Sequence, residues 1–188
     1  MIVHRRLLDR KGPDFFPTPP WATWALVMNE KFKGNVWECA CGDGAISRVL
    51  KQTISVVYSS DLHAHGFGES GHDFLKTNRR ADNIVTNPPF NLAEEFVAVG
   101  LSRAKYKVAL LLRLAFLEGA HRARTLFKHS PPARLWVFSE RVTFYRSGAE
   151  KKGGGTAAYA WFVWDKSAPS GTEVRWIAPG YRREYSQP

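Results

Sequence analysis

Asn83-Ile84-Val85-Thr86-Asn87-Pro88-Pro89-Phe90 is the stretch whose reading decides the fold. Its first four residues suit a short buried strand, which proline cannot continue because it lacks the ladder donor. Two successive prolines stop the strand and stiffen the chain beyond it. An amide side chain and an aromatic ring are thereby held at the carboxyl edge of a sheet, where ligands bind in open α/β folds. A rigid polar-plus-aromatic pair is suited to gripping a flat, hydrogen-bonding base.

Working outward, strands and helices alternate in units of roughly thirty residues, the pattern of a mostly parallel α/β sheet with right-handed crossovers. Strands are expected at 35–39, 55–60, 83–86 and 108–112, and further candidates at 134–138, 156–165 and 173–177. Helices are expected from Pro20 to near Gly34, where Trp21, Trp24, Ala25 and Met28 recur at helical spacing, and at 45–51, 92–104 and 119–128. The strand-rich last third breaks the alternation and predicts an antiparallel hairpin at one edge. Residues 1–20 read as irregular, with four prolines between Pro13 and Pro20, and Ser147 to Gly155 reads as a flexible segment with four glycines. One domain over residues 1–188 is the expectation, without internal repeats.

The composition narrows the classes. The longest apolar stretch, Ala157 to Trp164, suits a strand, so no membrane span and no membrane partner are expected. The amino terminus is charged without a following apolar run, which argues against secretion. Cys39 and Cys41 are too close to pair comfortably and too few for a disulfide framework. A cytoplasmic location fits best. The chain carries 27 Lys and Arg against 17 Asp and Glu. The excess lies wholly after Ser102, as a face meeting a polyanion or as a surface kept basic for solubility.

Three groups of residues bear on chemistry. In Glu38-Cys39-Ala40-Cys41-Gly42-Asp43-Gly44 a strand, a glycine turn and a helix amino terminus let backbone donors approach a bound group closely. The acidic Glu38 suits a cationic amino group or ribose hydroxyls better than a phosphate. Asp61 ends the next strand, where a carboxylate can accept from both ribose hydroxyls. Asp73-Phe74 adds an acceptor and a ring suited to adenine. Taken singly, each has an ordinary role: Asp61 as a cap, Asp73 as a surface carboxylate, Phe74 as core.

In their order, Phe16-Pro17-Thr18-Pro19, the turn from Glu38 to Gly44, Asp61, Asp73-Phe74 and Asn87-Pro88-Pro89-Phe90 resemble the motifs of S-adenosylmethionine-dependent amino-methyltransferases. The likeness is to DNA adenine-N6 methyltransferases of phage and restriction-modification type, and it spans about residues 14–165. It implies a Rossmann-like seven-stranded sheet with a reversed strand at the edge. S-adenosylmethionine is the implied cofactor, with Phe16, Thr18 and Pro19 near its methionine moiety. Glu38, Ala40, Cys41, Gly42 and Gly44 would cradle its amino-acid part, Asp61 its ribose, and Asp73 and Phe74 its adenine. Asn87 and the Pro88 carbonyl would accept from the target amine, with Pro89 stiffening the corner and Phe90 stacking on the target base.

DNA is the implied partner, RNA an alternative, and a protein glutamine or a non-catalytic nucleic-acid-binding role the remaining rivals. Arg141 and Arg146, with Phe144 and Tyr145 interleaved, and Lys151 and Lys152 in the glycine segment are candidate nucleic-acid contacts; an edge strand with solvated charges serves equally. Without a separate target-recognition domain, short loops at 115–132 and 146–156 would carry a low or very short sequence specificity. Cys39, Cys41, His63, His65 and His72 match no standard zinc spacing, so no metal is expected. Trp161 and Trp164 fall on opposite faces of a strand and read as core.

Overall fold

The decisive strand forms and stops where the prolines require. The computed structural model describes residues 16–144 and 157–185. Ala81–Thr86 is a six-residue strand, and the chain leaves it at Asn87 and passes through Pro88 and Pro89 into a 3-10 turn at Phe90–Leu92. Around it run α1 (Pro20–Asn29), β1 (Val36–Glu38), α2 (Ala45–Thr53), β2 (Val57–Ser59), this strand as β3, α3 (Ala93–Arg103) and β4 (Ala104–Arg113). The chain continues through α4 (Ala120–Arg124), α5 (Leu126–His129), β5 (Arg134–Phe138), β6 (Tyr159–Asp165), β7 (Glu173–Ile177) and α6 (Tyr181–Tyr185).

The seven strands make one sheet in the order β2-β1-β3-β4-β6-β5-β7. β1 pairs parallel with β2 and β3, β3 with β4, and β5 with β7. β6 is the reversed strand, antiparallel to both β4 and β5. The mixed, mostly parallel sheet is as expected, but the antiparallel pair does not form the edge. Both sides of β6 are already taken, so β7 crosses to the outside of β5 and becomes the edge itself. The chain steps from β2 on one side of β1 to β3 on the other. That reversal opens a crevice at the carboxyl ends of β1 and β3.

Burial follows the strand period of two. Val85, Ala109, Leu111, Trp161 and Val163 face α1 and α2, while Ile84, Val108, Leu110, Phe162 and Trp164 face α3. Both tryptophans expected in the core are there, Trp161 donating to the Ala22 carbonyl and Trp164 to the Ser130 carbonyl. α1 begins with Pro20 at its first position and ends at Asn29, five residues short of Gly34. The expected 119–128 helix breaks at Thr125 into the short α4 and α5.

Two polar clusters fix the frame. Asn35 and Asp82 hydrogen-bond reciprocally, Asn35 N and Nδ2 donating to Asp82 Oδ2 and Asp82 N donating to Asn35 Oδ1, which pins β1 against β3. Gly34 makes this close approach at φ +82°, where a Cβ would collide with the Asp82 carboxylate. At the amino ends of the parallel strands, Glu30 accepts from Lys107 Nζ at 2.8 Å, Trp136 Nε1 at 2.9 Å and the Arg134 guanidinium. Arg134 also donates to Asp165 at 2.6 Å.

Candidate active site

The crevice is a cavity of about 830 Å³ beyond the carboxyl ends of β1, β2 and β3. Of the residues expected in a cofactor pocket, Phe16, Thr18, Glu38, Ala40, Cys41, Gly42, Asp61, Asp73 and Phe74 line it, together with all of Asn87, Pro88, Pro89 and Phe90. Pro19 and Gly44 do not. Pro19 caps α1, its carbonyl accepting from Ala22 N, and Gly44 caps α2 in the left-handed conformation at φ +86°. A Cβ on Gly44 would sit 2.5 Å from the Phe67 ring, so this glycine is required by packing. Phe67 is in turn overlain by Arg48 and Lys51, which carry positive charge to the outer wall of the turn.

Glu38 ends β1 with its side chain fully buried. Burial pushes its carboxyl well above the usual range, Asp43 and Asp61 add to that, and a hydrogen bond donated by Ser47 Oγ opposes it. With that hydrogen given to Glu38, Ser47 Oγ accepts from Ser59 Oγ at 2.6 Å. Asp61 supports the turn from the neighbouring strand: Oδ2 accepts from Gly42 N and Oδ1 from His63 N, each at 2.8 Å. Asp73 caps the 3-10 turn at Phe74–Lys76, accepting from Leu75 N at 3.0 Å. The Phe74 ring packs between Trp37 and Phe96, so it is a core residue that also lines the cavity. Burial, then the neighbouring Glu38 and Asp61 carboxylates, push the Cys41 thiol up to about 12, which leaves it inert as a nucleophile at neutral pH.

At the other end stands the Asn-Pro-Pro-Phe corner. Asn87 Nδ2 donates to the buried Thr18 Oγ1 at 3.1 Å. Asn87 Oδ1 is buried and accepts from no protein donor among the described residues. An unpaired buried acceptor is costly unless a ligand supplies the donor. Phe90 is half-buried, with Tyr159 and Phe144 packed against its ring and the Arg113 guanidinium 4.6 Å from its centroid.

Sequence reasoning missed Arg113, which ends β4 inside an otherwise apolar run. It also missed His63, His65, His72 and Asn91 as cavity residues. Spacing carries no signal for them, because the tertiary fold alone delivers them to the crevice. Of the expected nucleic-acid contacts, Arg141 is exposed, whereas Arg146, Lys151 and Lys152 lie outside the described residues. Among the described residues no group of three or more His, Cys, Asp or Glu is placed to hold a metal ion, and no helix is long and apolar enough to cross a membrane.

Comparison with known proteins places this architecture. No protein-family model matches the chain, and no curated protein matches it. Solved structures do. A modification subunit of a putative type I restriction enzyme from Vibrio vulnificus YJ016 superposes over 92% of this chain and 49% of its own, at TM-score 0.62 and 14% identity. A putative class I S-adenosylmethionine-dependent methyltransferase from Listeria monocytogenes superposes over 82% of this chain and 62% of its own, at TM-score 0.56 and 13% identity. The fold is that of S-adenosylmethionine-dependent methyltransferases. A putative RNA methyltransferase from Pyrococcus horikoshii shares the fold over 83% of this chain and 91% of its own, at TM-score 0.62 and 15% identity. The chain thus spans about half the length of the Vibrio subunit and most of the Pyrococcus protein.

Proposed function

We propose that the protein transfers a methyl group from S-adenosylmethionine to the exocyclic N6 amine of adenine in DNA, with low or short sequence specificity. The observation that carries this reading is Asn87 Oδ1, a buried acceptor on the wall of the cavity with no protein donor among the described residues, separated from Phe90 by two prolines.

The residues present suit the cofactor. Glu38, Asp43, Asp61 and Asp73 give one end of the cavity four carboxyl groups, matched to a ligand that carries an ammonium and a sulfonium. The turn at 40–44 brings backbone close to that end, as an amino-acid moiety requires. When bound, S-adenosylmethionine supplies an electrophilic methyl group. The chain's own task is to make a poor nucleophile competent. The lone pair of an aromatic amine is delocalised into the ring, and acceptors that draw its hydrogens toward a tetrahedral nitrogen restore it. Asn87 Oδ1 and the Pro88 carbonyl are the acceptors assigned here, Thr18 fixes the Asn87 amide, and Phe90 supports the ring. Positioning and preorganised dipoles then supply most of the catalysis.

A duplex adenine must leave the stack to reach this corner. The segment between β4 and β5 holds only short elements, with Arg122, Arg124, Lys128 and their neighbours on its surface, which favours few base contacts. The same geometry serves adenine in RNA, the acceptor class in the Pyrococcus protein's name. Incubation with methyl-tritiated cofactor and DNA, RNA and protein in parallel tests the reading. Label in N6-methyladenine from DNA is expected; label in RNA or protein but none in DNA overturns the acceptor, and a methylation motif of five or more defined bases overturns the low specificity.

A further inference from the structure

The charges around the cavity are unevenly placed. The carboxyl groups of Glu38, Asp43, Asp61 and Asp73 belong to one end, and Arg113 is the sole lysine or arginine lining the cavity among the described residues. Arg113 stands at the Phe90 end, its side chain exposed and its guanidinium carbon 4.6 Å from the ring centroid. The Phe90 ring is the contact found for that guanidinium among the described residues. Its backbone is held in the ladder opposite Tyr159, which itself packs on Phe90. Root and ring are therefore fixed relative to each other, and the guanidinium on its flexible stem is the part free to move.

A separation of 4.6 Å leaves no room for a base between guanidinium and ring. Whatever stacks on that face of Phe90 must first displace Arg113. An exposed cation–π contact is weak, whereas a guanidinium meeting a phosphate forms charge-assisted, often bidentate bonds. An acceptor with a phosphate next to its base compensates for the displacement, and an uncharged acceptor does not.

The geometry points to Arg113 as the specificity-determining residue for the acceptor: it covers the Phe90 ring until the target base replaces it, and then holds the phosphate of that same nucleotide. This rests on the reading of Phe90 as the base-stacking face. The acceptor class that follows is adenine within a phosphodiester strand, ahead of free adenosine or an amide side chain.

The test compares wild type, Arg113→Ala and Arg113→Lys on adenosine, adenosine monophosphate and a single-adenine oligonucleotide, across a salt series. Arg113→Ala is expected to lose at least tenfold in kcat/KM on the oligonucleotide, and to flatten the log–log salt dependence by roughly one phosphate contact. On adenosine it should gain rather than lose, because no guanidinium then has to be displaced from Phe90, and calorimetry should show unchanged S-adenosylhomocysteine affinity. Arg113→Lys should keep the salt slope and recover part of the rate. A loss on adenosine monophosphate equal to that on the oligonucleotide supports the same phosphate contact in its minimal form. An unchanged oligonucleotide-to-adenosine ratio with an unchanged salt slope overturns the inference while leaving the methyl-transfer reading intact. A wild type that labels none of the three acceptors overturns that reading first, and the inference with it.

Discussion

The Asn87 amide nitrogen donates to Thr18 Oγ1 at 3.1 Å across 69 positions of sequence. One hydrogen bond thus joins the proline-rich segment before α1 to the corner after β3. It uses one of the two amide N–H groups and fixes the amide's orientation, while Oδ1 stays buried with no hydrogen-bond partner among the described residues. Thr18, expected near the methionine moiety of a cofactor, is by this contact a positioning residue for Asn87.

Replacing Thr18 by Val removes the acceptor at nearly constant volume, and replacing it by Ser keeps it. A net hydrogen bond is worth about 0.5–1.5 kcal/mol, so Thr18→Val should lower kcat about three- to tenfold and Thr18→Ser should restore it. The cofactor affinity should not move. A weakened S-adenosylhomocysteine affinity with unchanged kcat returns Thr18 to the cofactor side.

Asn87→Ala tests the acceptor itself. The interaction strengthens as the amine becomes tetrahedral, so turnover should fall by more than tenfold with nucleic-acid affinity nearly unchanged. Phe90→Ala should instead weaken base capture, by about 1–3 kcal/mol if the ring stacks. Fluorescence of an oligonucleotide with 2-aminopurine at the target position separates the two: Asn87→Ala keeps the capture signal and Phe90→Ala loses it. Wild-type turnover in Asn87→Ala removes that residue from the mechanism.

Much of this frame was legible because it rests on local rules. Pro88 and Pro89 had to end β3, and the run Val108 to Leu112 had to be buried on both faces, as it is. The order of strands was less so. That β7 lies outside β5 depends on which partners β6 has already taken, and no period in Glu173 to Ile177 encodes that. The glycine turn signals close approach of a cofactor at Gly44, yet the group that approaches it is the Phe67 ring. Arg113 was invisible because an arginine ending an apolar strand has the same pattern whether it faces water or Phe90.

Glu38 gives a pH signature. Burial raises its folded pKa above the unfolded value of about 4.3. A raised carboxyl stabilises the fold fully below the unfolded pKa, and that contribution is lost as pH rises through the folded pKa. Melting curves of the ligand-free protein should therefore show wild type losing ground to Glu38→Gln as pH rises above about 5. Saturating S-adenosylhomocysteine, whose ammonium favours the charged carboxylate, should narrow the difference for wild type alone. A constant difference in melting temperature across this range assigns Glu38 no such role.

The Glu30 cluster carries the opposite sign. Burial alone raises the Glu30 carboxyl, but hydrogen bonds from Arg134, Lys107 and Trp136 outweigh it and hold it below the usual range. Asp165 is likewise held low, burial being outweighed by Arg134 and Ser167. Depressed carboxyls stabilise the fold above their unfolded pKa values, and the contribution is lost as pH falls through the folded ones. Wild type should therefore lose melting temperature more steeply below pH 4 than Glu30→Gln does. At neutral pH, Glu30→Ala removes one carboxylate from Lys107 and Arg134, which both keep Asp165, and leaves the Trp136 Nε1 donor unpaired, at a cost of about 1–3 kcal/mol. Denaturant unfolding should record that loss. The cavity lies at the opposite, carboxyl ends of the parallel strands, so cofactor affinity of the folded fraction should stay within about twofold of wild type. A matching fall in affinity would mean that the two ends of the sheet are coupled.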